Sequence, residues 1–133
     1  MKKILLTGSN GFIGSNLLQY LSKNYKIYVI LRKKNKNKFK NKNINQIYFN
    51  NYEKLDKKLK LINVDVVIHC ATHYIKNHDQ TDIKKLANSN ILLGNILLEN
   101  LKKMRVKKFI NFSTVWENYD GKKDNFYNYN YNN

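Results

Sequence analysis

The residues best suited to chemistry form a glycine turn near the N-terminus, Thr7-Gly8-Ser9-Asn10-Gly11-Phe12-Ile13-Gly14. Glycine lets the backbone bend tightly and approach a ligand without a Cβ in the way. A helix that begins there would point free N–H groups and its positive dipole end at the same place, which suits a pyrophosphate. The spacing is GxxGxxG, whereas the commonest dinucleotide fingerprint is GxGxxG. A glycine turn that binds nothing is the alternative interpretation.

Three histidines and one cysteine are the other residue types that often carry chemistry. His69, His73 and His78 have no supporting set of cysteines or acidic residues, so the sequence predicts no metal site. A single cysteine, Cys70, excludes an internal disulfide and favours a reducing compartment. Because Cys70 ends an apolar run, we expect a small buried hydrophobe and not a catalytic thiol.

The strands that must position these residues are short apolar runs. We expect them at residues 2–7, 27–31, 46–49, 64–70 and 106–112. Between two of them, residues 33–45 are polar and rich in lysine, and they are predicted to form a solvated loop.

Three helices are expected from residues that recur every three or four positions. The first begins after the glycine turn and ends near Asn24; its repeating residues are Ile13, Leu17, Leu18 and Leu21. The second has a face made of Leu55, Leu59 and Ile62. The third runs from about 83 to 103, with a core-facing stripe of Leu86, Leu93, Leu97 and Leu101.

The order of these elements is β-α-β-β-α-β-α-β, with long crossovers between the strands. Such an order predicts an α/β fold with a parallel sheet covered by helices on both faces. We therefore expect a doubly wound sheet of about five strands in the order 3-2-1-4-5. The whole chain, residues 1–133, is predicted to be one domain.

The composition places limits on the partners of the chain. A net charge of +16, from 25 basic and 9 acidic residues, would normally suggest nucleic-acid binding. The basic residues are nearly all lysine, and lysine, asparagine, isoleucine and tyrosine are abundant together, which is typical of an AT-rich coding sequence. No apolar run reaches the roughly 20 residues of a membrane span, and the first run is too short for a secretory signal. We expect a cytoplasmic protein with no membrane partner and no nucleic-acid partner.

Four ordered motifs resemble the extended short-chain dehydrogenase/reductase family of nucleotide-sugar epimerases, dehydratases and reductases. They are TGSNGFIG at 7–14, VDVVIHCAT at 64–72, NSNILLGNILLENLKK at 88–103 and FINFSTVWENYDG at 109–121. The resemblance implies an NAD(P)-binding, Rossmann-like domain whose C-terminal, substrate-binding part is absent from this chain. It also implies a nucleotide-sugar substrate. The expected cofactor-binding residues are Gly8, Ser9, Asn10, Gly11, Phe12, Ile13, Gly14, Arg32, Asn51, Cys70, Ala71, Thr72, Asn90 and Ser113.

Two departures from the family pattern concern the cofactor. NAD-preferring members usually have an acidic residue at the end of the second strand, where this chain has Leu31-Arg32-Lys33-Lys34. An arginine there suits the 2′-phosphate of NADP, through hydrogen bonds worth about 1.5–3 kcal/mol, or roughly 10- to 150-fold in affinity. Alternatively Arg32 only begins the lysine-rich loop, and NAD remains possible. The second departure is at Asn50-Asn51, where relatives often have an aspartate that meets the adenine; an amide can still bond there.

The catalytic residues implied by the resemblance are only partly present. Thr114 matches the family's hydroxyl at the end of the fifth strand, which positions a sugar hydroxyl; the alternative is a hydroxyl that bonds its own backbone. The family's Tyr-x-x-x-Lys pair has one match in this region, residues 119–123, which contains Gly121 and has no helical pattern around it. We interpret this match as a coincidence. Trp116 resembles the branch that includes CDP-abequose synthase-like sugar 4-reductases.

Three functional hypotheses follow. The leading one is the NAD(P)-binding portion of an enzyme that transfers hydride between a nicotinamide and a sugar nucleotide, with little or no turnover by this chain because the Tyr-Lys pair is missing. The second is a non-catalytic dinucleotide-binding or regulatory protein, and the third is a lysine-driven nucleic-acid binder. We also expect self-association, through a sheet edge that the missing part would cover.

Overall fold

The computed structural model describes residues 1–32 and 39–114. Its strands are β1 (Lys3–Thr7), β2 (Lys26–Arg32), β3 (Ile44–Phe49), β4 (Val66–His69) and β5 (Lys108–Asn111). Its α-helices are α1 (Phe12–Leu21), α2 (Tyr52–Leu59), α3 (Ile83–Ala87) and α4 (Leu93–Asn100). A short 3₁₀ turn, Gln80–Asp82, precedes α3, and a π-turn, Asn88–Leu92, joins α3 to α4.

The five strands form one parallel sheet in the order β3-β2-β1-β4-β5, which confirms the predicted Rossmann-like topology. Thr7 at the end of β1 is in register with His69 at the end of β4. Arg32 at the end of β2 is in register with Phe49 at the end of β3. Because all the strands run the same way, their carboxyl ends meet at one edge of the sheet, together with the loops that follow them.

Helices cover both faces of this sheet. On one face α1 packs through Leu18 against side chains of β1, β2 and β4. On the other face α2 and α4 contribute a second cluster; its buried leucines are Leu5, Leu55, Leu59, Leu93 and Leu97. Each leucine that is fully removed from water stabilises the fold by about 1.5–3 kcal/mol. The two apolar clusters therefore hold the strand ends, and the loops after them, in fixed positions.

Several predicted boundaries were wrong. The loop predicted at 33–45 ends earlier, because Ile44 and Asn45 pair with β2 as the first residues of β3. Strand β4 covers only Val66–His69 of the predicted 64–70, and α1 ends at Leu21. The helix predicted to reach about residue 103 ends at Asn100, and the chain reverses through Arg105, whose φ of 58° is left-handed.

One residue of the predicted helical face points elsewhere. Ile13 is 47% exposed and lies beside the glycine turn, whereas Leu18 is buried. The first turn of α1 therefore faces the carboxyl edge of the sheet, and only its later turns reach the core. Among the described residues, no helix combines the length and apolar character needed to cross a membrane.

Candidate functional site

A cleft of about 530 Å³ lies at the carboxyl ends of β1, β2 and β4. Its size is within the range of about 300–1,000 Å³ that small-molecule sites occupy. The chain passes from β1 to β2 on one side and reaches β4 on the other, so the cleft lies where the strand order reverses. Open parallel sheets bind ligands at that point.

The glycine turn forms one wall of the cleft, and two of its glycines are required by close contacts. Gly8 has φ +70°, and a Cβ there would lie 2.7 Å from the carbonyl carbon and oxygen of Cys70. A Cβ on Gly14 would lie 2.1 Å from the Gly8 oxygen, so only glycine lets α1 approach the turn this closely. Gly11 is different, since its Cβ would meet only the Gly8 oxygen, at 3.4 Å. Gly11 lines the cleft without being crowded.

The N-terminus of α1 is open toward the same cleft. Its N-cap residue is Gly11, no side chain caps it, and the first turn contains no acidic residue. Helix α2 begins differently, since the Asn51 side chain accepts a hydrogen bond of 2.8 Å from the Lys54 amide and Glu53 follows in the first turn. The positive end of the α1 dipole is therefore uncompensated by a side chain, which suits an anionic group.

A buried hydrogen-bond chain fixes the floor between β1 and β4. The Thr7 hydroxyl lies 2.6 Å from His69 Nδ1, and it accepts a hydrogen bond of 3.1 Å from the Ala71 amide. Burial lowers the pKa of His69, so the ring is neutral at neutral pH. The chain Ala71–Thr7–His69 holds the loop after β4 against the glycine turn.

Cys70 lies on this loop and lines the cleft. It is half-buried, so the prediction of a buried hydrophobe holds only in part. Burial raises the pKa of its thiol, which keeps the side chain protonated at neutral pH.

The π-turn forms the opposite wall, and three successive residues of it contact three other elements. The Asn88 carbonyl accepts a hydrogen bond of 2.9 Å from the Tyr52 hydroxyl of α2. Ser89 Oγ accepts one of 2.9 Å from the Arg32 guanidinium at the end of β2. The Asn90 side chain bonds the backbone of His73, accepting from its amide at 2.7 Å and donating to its carbonyl at 2.9 Å. Wide turns of this kind are frequent at functional sites.

The structure brings most of the predicted cofactor-binding residues together. Those that line the cleft are Gly8, Asn10, Gly11, Phe12, Ile13, Gly14, Arg32, Cys70, Ala71 and Thr72. Phe12 is 86% exposed there, at the open start of α1.

The other predicted site residues lie elsewhere. Ser9 is buried under the turn, Asn51 caps α2, and Asn90 holds the loop after β4. Ser113 and Thr114 follow β5 in exposed positions and are not among the residues that line the cleft. Trp116 and the motif at 119–123 lie outside the described residues.

Sequence reasoning did not assign several residues of the cleft wall to the site, among them Phe49, Tyr52 and Ser89. The rings of Phe49 and Tyr52 lie 5.5 Å apart and form an aromatic corner next to Arg32. Tyr52 lies three residues before Leu55, so the apolar face of α2 could have been extended to include it. Ser89 lies between Leu86 and Leu93, which are seven positions apart, where an amphipathic helix normally has another apolar residue.

A metal site is not found in the described part of the chain, which contains no group of three or more histidine, cysteine, aspartate or glutamate side chains able to hold an ion. His69 is bonded to Thr7, and His73 contributes its backbone to the contact with Asn90.

Residues 4–130 match the NAD dependent epimerase/dehydratase family. The chain is 35% identical over 127 residues to a dTDP-D-glucose 4,6-dehydratase of Dictyostelium discoideum, covering 86% of this chain and 29% of that protein. It is 31% identical over 120 residues to a CDP-abequose synthase of Salmonella muenchen, covering 90% of this chain and 40% of that protein.

The fold of the chain is similar to that of a solved mutant of UDP-glucuronic acid 4-epimerase from Bacillus cereus, in complex with UDP-4-deoxy-4-fluoro-glucuronic acid and NAD. It matches with a TM-score of 0.69 and 32% identity, over 85% of this chain and 40% of that one. The chain thus spans less than half the length of each of these three proteins.

Proposed function

The chain belongs to the NAD dependent epimerase/dehydratase family, and we propose that it is the dinucleotide-binding portion of an enzyme that transfers hydride between a nicotinamide and a sugar nucleotide. The observation that carries the proposal is the cleft at the point where the strand order reverses, with the glycine turn and the open N-terminus of α1 on one side. Those two features suit the pyrophosphate. The aromatic corner of Phe49 and Tyr52 suits the flat face of adenine.

The cofactor in this proposal is NADP in preference to NAD. Arg32 lines the cleft, and none of the ion pairs in the described residues involves it, so its charge is available to a ligand. A phosphate ester on the adenosine ribose would receive charge-assisted hydrogen bonds that a free hydroxyl cannot match. NAD is the cofactor named for the solved UDP-glucuronic acid 4-epimerase, so the preference for NADP rests on Arg32 alone.

The substrate class in this proposal is a nucleoside diphosphate sugar. The curated relatives and the solved epimerase bear names of enzymes that act on or make such compounds. In this proposal Thr114 would position a sugar hydroxyl, with Ser113 beside it. The single free cysteine agrees with a cytoplasmic location. The only Tyr-x-x-x-Lys match near Thr114, residues 119–123, contains Gly121 and has no helical pattern around it. We therefore expect this chain alone to bind dinucleotide without turnover.

Isothermal titration calorimetry of the chain with NADPH and NADH tests the proposal. We expect saturable binding of both, with NADPH bound more tightly, and a preference that Arg32→Ala reduces roughly 10- to 150-fold. Absence of binding to either dinucleotide would refute the dinucleotide function. An unchanged NADPH/NADH ratio in the variant would refute the NADP preference. Binding to nucleic acid that collapses with salt and ignores NADPH would favour the lysine-driven alternative.

A further inference from the structure

We infer that Ser89 is a specificity-determining residue of this cleft, which holds the Arg32 guanidinium in position to receive a phosphate ester on the ribose of the bound dinucleotide. The inference rests on the proposed function. It adds a second residue, on a different element, to the group that distinguishes the two cofactors.

The contact between the two side chains carries the inference. An Arg32 Nη donates a hydrogen bond of 2.9 Å to Ser89 Oγ, across 57 positions of sequence. Both residues line the cleft. Arginine has five N–H donors, and the bond to Ser89 uses one of them.

Burial makes Ser89 the fixed partner of the pair. Ser89 is only 7% exposed, whereas Arg32 is exposed at the end of its strand. The bonds of Asn88 to Tyr52 and of Asn90 to His73 hold the backbone on both sides of Ser89. A long arginine side chain loses rotamer entropy when it is ordered. An anchored Ser89 supplies part of that ordering before the ligand arrives, which strengthens binding.

The Ser89 hydroxyl also has a proton to donate. Its oxygen accepts the bond from Arg32, and no other hydrogen bond involves this hydroxyl within the described ranges 1–32 and 39–114. The proton can therefore point into the cleft. A phosphate oxygen could therefore accept one hydrogen bond from Arg32 at the end of β2 and another from Ser89 in the π-turn. A ribose hydroxyl carries no charge and gains less from these two donors.

The π-turn explains why a serine occupies this place. Leu86 and Leu93 continue the apolar stripe of the helix on either side of the turn, and Ser89 is buried between them. A polar side chain in a buried position requires a hydrogen-bond partner, and Arg32 is that partner. Replacing Ser89 by alanine would keep the helix but leave Arg32 free to rotate.

A double-mutant cycle on the 133-residue chain tests the inference, with affinities for NADPH and NADH measured by calorimetry. We expect Ser89→Ala to weaken NADPH binding by roughly three- to tenfold, which corresponds to the loss of one hydrogen bond, and to weaken NADH binding by a smaller factor. Ser89→Thr, which keeps the hydroxyl, should restore NADPH binding. The double variant of Arg32→Ala and Ser89→Ala should bind NADPH more weakly than Arg32→Ala alone, but by a smaller factor than Ser89→Ala costs in the parent chain, because only the direct bond from the Ser89 hydroxyl is then lost. Asn95→Ala, at an exposed position of α4 outside the cleft, is the matched control.

The outcomes separate this inference from the proposed function. If Arg32→Ala lowers the NADPH/NADH ratio and Ser89→Ala does not, the role of Ser89 is refuted and the NADP preference stands. Equal losses for both dinucleotides in Ser89→Ala would show a purely structural role, and tighter NADPH binding would show that Ser89 diverts Arg32; each refutes the inference. If Arg32→Ala leaves the ratio unchanged, the NADP preference itself fails and Ser89 fails with it.

Discussion

Alanine should have different effects at Gly11 and Gly14, the two ends of the GxxG segment. At Gly14 it should lower the stability of the fold, and at Gly11 it should weaken ligand binding. A Cβ on Gly14 would lie 2.1 Å from the Gly8 oxygen, while ordinary contact begins near 3.4 Å. Helix α1 would have to move by roughly 1 Å, and a gap of that size forfeits a quarter to a half of the dispersion energy between packed atoms. The same Cβ on Gly11 already lies at 3.4 Å and requires no movement.

The magnitude follows from what α1 buries. Leu18 is its buried anchor, with Leu17 and Leu21 packed beside it. Loosening these contacts, together with the strain of overpacking, costs about 2–3 kcal/mol. Alanine recovers up to about 1 kcal/mol through its higher helix propensity. The net loss expected for Gly14→Ala is therefore about 1–2 kcal/mol.

Urea unfolding followed by circular dichroism measures this loss directly. Gly14→Ala should lower the midpoint with an unchanged slope, and Gly11→Ala should stay within about 0.5 kcal/mol of the parent chain. Gly11→Ala should instead weaken NADPH binding, because Gly11 lines the cleft. Equal stability of the two variants would refute the reasoning from the Gly8 contact, and so would a Gly14→Ala chain as stable as the parent.

Three further predictions concern the hydrogen bonds beneath the cleft. Thr7→Val should lower the free energy of unfolding by about 1–3 kcal/mol, because it leaves the Ala71 amide and His69 without their partner; Thr7→Ser is the control in the same urea assay. Since burial lowers the pKa of His69, the unfolded chain binds its proton more readily, so stability should fall as pH drops from about 7 to about 5, and His69→Gln should flatten that dependence. Asn90→Ala should speed hydrogen exchange of the His73 amide at least tenfold, because the free energy of local opening falls by about 1.4 kcal/mol or more. NMR measures this rate, with distant amides as the reference. Unchanged exchange at His73 would contradict the role given to Asn90.

The sheet and the glycine turn could be predicted because their signals are local. The apolar runs of β1, β2 and β4 are buried on both faces and therefore read as continuous hydrophobic stretches. Long crossovers require parallel strands, and handedness then leaves few possible strand orders. Gly8 and Gly14 could be identified from their spacing, although the contact that requires Gly8 is with Cys70, far away in sequence, while Gly14 is required by a contact with Gly8 itself.

The far wall of the cleft could not be predicted in the same way. The π-turn is hydrogen-bonded to Tyr52, Arg32 and the loop at His73, all of which lie far from residues 88–90 in sequence. Periodicity describes a regular helix and carries no information about a single wide turn within it. Periodicity alone also groups Ile13 with Leu18, although Ile13 lies at the edge of the sheet and lines the cleft while Leu18 is buried.

The contrast between the starts of α1 and α2 has a consequence for protein engineering. A side-chain cap stabilises a helix by about 1 kcal/mol relative to alanine, and by only a few tenths relative to glycine. Helix α2 has such a cap in Asn51, while α1 begins at Gly11 with none. A stabilisation scheme that optimises helix ends would therefore place serine or aspartate at position 11. Either side chain would occupy the amides that the proposed function assigns to the pyrophosphate, and aspartate would add charge repulsion. A substitution of Gly11 that stabilises α1 would thus lower the affinity for the cofactor. A library of variants selected only for heat resistance would therefore lose cofactor binding through changes at this position.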